Sequence, residues 1–163
     1  AATTQFRLGS DIRTSVNELT SDISDRLRGN MEKLPGYGLG NSSNYSVKTE
    51  YATQVAAAYV SLTKNCATNT CTADEIVKYD LELWQSSAKN KLPGGATWLT
   101  GDVQNGFDVT IMWFDKNLVD QDGVAVTTEA CQATYTEIRA QRCCPTDAKA
   151  PAGVRCNNFT IMP

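Results

Sequence analysis

Residues 6–34 read FRLGSDIRTSVNELTSDISDRLRGNMEKL, with apolar side chains at Leu8, Ile12, Val16, Leu19, Ile23, Leu27, Met31 and Leu34. Every step is three or four residues, which lines them up as one stripe on a 3.6-period helix. The opposite face carries Arg7, Asp11, Arg13, Glu18, Asp22, Arg26, Arg28 and Glu32. The pairs Asp22/Arg26 and Arg28/Glu32 stand four apart, but each such pair adds only ~0.2–0.5 kcal/mol. Gly9 and Gly29 each cost about 1 kcal/mol relative to alanine. Burial of the stripe must therefore carry the helix, until Pro35-Gly36 ends it. Its C-terminal half is expected to lie on a sheet as a core element. Its N-terminal half, through Phe6, Leu8, Ile12 and Val16, is expected to pack against other subunits.

Outward from that helix, the composition bounds the rest. The chain has 163 residues, 41% hydrophobic and 20% charged, with a net charge of −3. These values fit one globular domain large enough for a real core. It contains no basic run, so nucleic acid is not expected as a partner. The longest apolar run, VAAAYV at 55–60, is too short to span a bilayer. No signal peptide is evident, and the opening AATTQF reads as a processed or trimmed N-terminus.

Histidine is absent. That removes Ser-His and Cys-His catalysis and the common imidazole base. No nucleophile elbow, Walker loop or dinucleotide fingerprint occurs. The carboxylates fall mainly on expected solvent faces. The chain is read as a non-enzyme without a cofactor. Six cysteines, Cys66, Cys71, Cys131, Cys143, Cys144 and Cys156, lack the paired CxxC spacing of a zinc site. In a chain this size they indicate disulfides and an oxidising compartment.

Residues 36–48, GYGLGNSSNYSVK, read as a loop anchored by Tyr37 and Tyr45, with glycosylation sequons at Asn41 and Asn44. A second helix is expected at 49–63, with Tyr51, Val55, Tyr59 and Leu62 on one face. Cys66 and Cys71 then close a small polar loop. A third helix opens on the capping box Thr72-Ala73-Asp74-Glu75 and stops at Leu92-Pro93-Gly94-Gly95. From there the texture becomes β-like. The runs 97–104 and 107–114 flank Asn105-Gly106, a two-residue hairpin signal. Asp122-Gly123 marks another turn, leading to 124–126. Residues 132–142 carry a pattern open to strand or helix and are assigned to a strand, and 154–163 to a closing one.

The run 115–123, DKNLVDQDG, has the polarity of a calcium loop but not the register, and it lacks the bidentate glutamate. It is read as a polar hairpin connection. Joining the neighbours Cys143 and Cys144 would need a strained vicinal ring. In the two remaining schemes one of them pairs with Cys131 and the other with Cys156. Either scheme makes 131–156 a stapled loop, which is also a plausible recognition surface. Helices first and strands last give an α+β class with an antiparallel sheet. The single domain 1–163 divides into a long helix (1–35), a loop with two helices (36–96), and the sheet with its stapled region (97–163).

Three strings then combine in order. Asp25-Arg26-Leu27-Arg28-Gly29-Asn30 resembles the DRMRAN-type signature of PilV-type minor pilins. Tyr79-Asp80-Leu81-Glu82-Leu83-Trp84, followed by Leu92-Pro93-Gly94-Gly95, is similar to the family's second hallmark. Val109-Thr110-Ile111-Met112-Trp113 is similar to its third. The resemblance covers roughly residues 5–115. It implies a pilin-like fold and a subunit that helps initiate or form the tip of a type IV pilus, in adhesion or twitching motility. Other minor pilins and the major pilin are its implied partners. It also implies an apolar helix half ahead of residue 1, the only membrane contact. The chain would then face the periplasm from the inner membrane before entering the extracellular filament. Type II secretion pseudopilins share the architecture, and a secreted disulfide-rich adhesin or binding module is the reading from a different class.

Overall fold

In the computed structural model, the described residues are 2–35, 37, 45–58 and 60–163, with side chains from residue 9 onward. Helix α1 spans Ala2–Gly29. Its stripe is buried at Val16, Leu19, Ile23 and Leu27, as the periodicity requires. The α-helix stops earlier than the stripe. Met31–Lys33 is a single 3-10 turn, and Leu34 is extended at φ −76°, ψ 143°. Pro35 excludes the helical region for the residue before it, and Gly29 offers little to hold the last turn. Leu34 nevertheless stays fully buried.

The second helix is shorter than expected: α2 covers only Tyr51–Ala56. The alanines after it give no apolar face to extend. Its end is met instead by Lys89, whose ammonium donates to the carbonyls of Gln54 and Ala57, a cation at a helix C-terminus. Tyr59 lies outside the described residues. Helix α3, Ala73–Lys91, opens on the expected capping box. Glu75 N–H donates to the Thr72 hydroxyl at 3.3 Å, and Thr72 N–H donates to the Glu75 carboxylate at 2.8 Å. The loop before it is closed by the Cys66–Cys71 bridge. It is tied to α3 by Glu82, a buried carboxylate that accepts from the backbone N–H and hydroxyl of Thr63.

Strands β1 (Ala96–Asp102), β2 (Gly106–Phe114) and β3 (Val154–Ile161) form an antiparallel sheet in the order β1-β2-β3. Leu99, Phe107, Val109, Ile111, Trp113 and Ile161 pack with the α1 stripe and α3 in one core. The other face holds a smaller cluster, in which Trp98, Met112, Val154 and Cys156 meet Cys144 and Ala148. The chain is thus α+β, with an N-terminal helix laid on a three-stranded antiparallel sheet.

The β1–β2 connection has three residues rather than two. Asp102 pairs with Gly106, and 103–105 make the turn. The Asp102 carboxylate accepts from the N–H groups of Gln104 and Asn105, and Gly106 sits at φ +89°. This is a turn closed by a left-handed glycine, the usual form of a three-residue hairpin loop. The expected strand at 132–142 is a helix instead, α4 at Glu137–Arg142. The disulfides explain why. Cys131 bonds Cys143 with their Cα atoms 4.8 Å apart, whereas twelve extended residues would span roughly 40 Å at ~3.3 Å each. The second bridge joins Cys144 to Cys156 of β3, which selects one of the two schemes left open.

Candidate functional site

Along α1, side chains 9–15 are exposed or half-buried, and burial begins at Val16. Of the residues proposed for subunit packing, Ile12 is half-buried against the edge of the core. Val16 requires correction. At 2% exposure it packs in the domain's own core, because the sheet reaches one turn further along α1 than the stripe alone indicates, with Trp113 in the same cluster. The side chains of Phe6 and Leu8 lie outside the described residues.

Beside this helix end runs a groove of about 730 Å³. Ile12, Val16 and Trp113 form its floor, while Leu118, Ile138 and Arg142 stand on its far wall. Ile138 is an isoleucine left 51% exposed on α4. The far wall is held by backbone bonds, among them Asp115 N–H to Gly153 O at 2.7 Å and Gly153 N–H to Val126 O at 2.9 Å. The calcium-like run contributes here only as turns. Asp120 accepts from the N–H groups of Asp122 and Val124, and Asp115 accepts from Asn117 N–H.

Asp115 also pairs with Arg155 of β3. Partial burial alone would raise its carboxyl, but the Arg155 guanidinium and the Asn117 N–H outweigh burial and hold it below the ordinary carboxylate range. A depressed folded-state pKa contributes stability above the unfolded value near 4, and that contribution fades as pH falls through the folded value. Arg155→Gln should therefore flatten the acid limb of the stability–pH curve below about pH 4. At neutral pH it should cost about 0.5–1 kcal/mol, since the guanidinium is largely solvated. Urea titrations at pH 3 and pH 7 measure both effects.

A second constellation joins residues that the sequence pattern held apart. Arg26 donates to Asp22 at 2.9 Å and to Asp80 of α3 at 2.7 Å. The Tyr45 hydroxyl donates to the other Asp80 oxygen at 2.7 Å, and the Asn30 amide donates to that hydroxyl at 3.3 Å. Burial, then the Asp80 carboxylate, pushes the Tyr45 phenol well above its ordinary value. One α3 turn further on, the Trp84 indole N–H donates to Leu19 O at 2.9 Å inside the core. Tyr45 is thus the anchor it was expected to be, whereas Tyr37 is 46% exposed. The first two motif strings meet here, and the third lies on β2 at the centre of the sheet. Asn41 and Asn44 fall outside the described residues.

The chain matches no family model, and no curated protein or solved structure shows significant similarity to it. Among the described residues no group of three or more His, Cys, Asp or Glu side chains is placed to hold a metal ion. No described helix is long and apolar enough to cross a membrane.

Proposed function

We propose that this chain is the globular part of a PilV-type minor pilin, a subunit that helps initiate or cap a type IV pilus together with other minor pilins and the major pilin. One observation carries the reading: α1 continues for roughly 20 Å ahead of Val16, at ~1.5 Å per residue, and its described side chains there, residues 9–15, are exposed or only half-buried. A helical segment of that length gains little from propensity alone, and Gly9 weakens it further. Neighbouring helices that pack on Phe6, Leu8 and Ile12 would add burial, worth ~1.5–3 kcal/mol for each side chain they fully cover. The three family-like strings support the same reading. Such a subunit faces the periplasm from the inner membrane and then passes into the extracellular filament.

Deleting the gene should abolish surface pili and twitching motility. Restoring it with Leu8→Asp and Ile12→Asp should fail to rescue, while restoring it with Asp11→Ala, on the polar face, should succeed. Piliation that persists in both the deleted and the doubly substituted strain removes the assembly role. Pili intact beside a loss of type II secretion would assign the chain to a pseudopilus.

A further inference from the structure

On the sheet face turned away from α1, two cross-strand rows stand side by side. Trp98, Thr110 and Asn158 face one another in the first, and Thr100, Asp108 and Thr160 in the second. The stapled segment, with Gln132, Gln141 and Pro145, walls them into a trough of about 610 Å³. That lies within the ~300–1,000 Å³ typical of small-molecule sites. We infer that this trough binds a neutral saccharide.

Its walls are fixed before any ligand arrives. Asn158 accepts from the Thr110 hydroxyl at 2.6 Å and donates to Ala140 O at 2.7 Å and Cys143 O at 2.8 Å. One amide thus rivets the stapled segment to β3, and the Cys131–Cys143 bridge closes the wall covalently. A preorganised site loses little conformational freedom on binding.

The polar groups left over define the ligand. The Thr100 hydroxyl and the Gln132 and Gln141 amides hydrogen-bond no protein group among the described residues. Asp108 accepts from the Thr160 hydroxyl at 3.1 Å, and its second oxygen has no hydrogen-bond partner among the described residues. Trp98 is 7% exposed, lines the trough, and its indole N–H likewise has no protein acceptor among the described residues. Donors and acceptors are therefore both present on a concave surface that Trp98 also lines. Hydroxyl groups, each both donor and acceptor, satisfy that mixture. Among the described residues no Lys or Arg lines the trough, and the Asp108 carboxylate disfavours an anion. A polyhydroxylated, uncharged ligand fits, independently of any role in a filament.

The oxidised full chain should be titrated with lactose, maltose, cellobiose and mannobiose, with sialyllactose as the anionic control, following amide chemical shifts. At least one neutral disaccharide should bind saturably, with shifts confined to the trough, and should bind more tightly than sialyllactose. Asp108→Ala and Gln141→Ala, both at exposed positions, should each weaken it about tenfold, the loss expected for a hydrogen bond to a charged or well-placed group, without moving the melting temperature. The inference is overturned if no neutral sugar binds up to roughly 10 mM, an affinity already weaker than the millimolar end of the usual scale. Shifts elsewhere on the surface, tighter binding of sialyllactose, or full affinity in both variants overturn it equally.

Discussion

Leu27→Asp should leave the chain without a cooperative folding transition at room temperature. Leu27 is fully buried between the sheet and α3, in the cluster that holds Trp84 and Ile111. Removing its side chain alone would cost ~2–5 kcal/mol, the usual range for a core leucine reduced to alanine. Aspartate adds a carboxylate with no partner in apolar surroundings, which costs several kcal/mol more or is escaped only by protonation or unfolding. A total of about 5 kcal/mol or more is comparable to the whole stability of a typical domain, ~5–15 kcal/mol. Leu27→Ala should keep the fold with a lowered urea midpoint. Circular dichroism melts of the two variants separate these outcomes. If the Leu27→Asp variant melts like the parent, α1 does not dock on this sheet.

Asp80→Ala should cost about 3–4 kcal/mol, far more than a surface carboxylate normally would. The carboxylate is 14% exposed and is the common acceptor for Arg26 and Tyr45. Its loss leaves a 22%-exposed guanidinium with Asp22, and removes the carboxylate to which the buried Tyr45 phenol donates. The figure sits at the lower end of the buried-pair range because Arg26 keeps some water. Asp80→Asn, which retains an acceptor for the phenol, should lose about half as much. Combining Asp80→Ala with Arg26→Met should recover part of the loss, since an apolar side chain leaves no orphaned charge. A double-mutant cycle in urea measures the coupling. Additive losses would show that the two residues act separately.

Periodicity announces what a long element buries, and the α1 stripe was legible from Ile12 to Leu27 for that reason. The capping box at Thr72 and the alternation from Phe107 to Trp113 were equally local and equally readable. The misreadings fell where distant parts of the chain decide local structure. Residues 132–142 carry a pattern open to strand or helix, and only the closed Cys131–Cys143 loop decides between them. Helix α2 ends where Lys89, far along the chain, meets its carbonyls. Val16 looked like the last member of an outward face until the sheet proved long enough to cover it. The Arg26–Asp80–Tyr45 network bridges positions 54 and 35 residues apart, and no spacing rule reaches that far. Its members were visible only as letters inside the motif strings. The trough was hidden for the same reason, because its floor exists only once three strands are in register.

The adjacent Cys143 and Cys144 have a mechanical consequence. Tension entering at residue 131 can reach residue 156 through one bridge, a single peptide bond and the second bridge, two hops of 4.8 and 5.3 Å between Cα atoms. The intervening backbone carries none of that load. With the Cys66–Cys71 loop, whose ends are five residues apart, the three bridges withhold roughly 100 Å of contour at ~3.5 Å per residue. A chain pulled apart under force would therefore come up short, with α4 and its wall still gathered as a compact bead on the stretched thread.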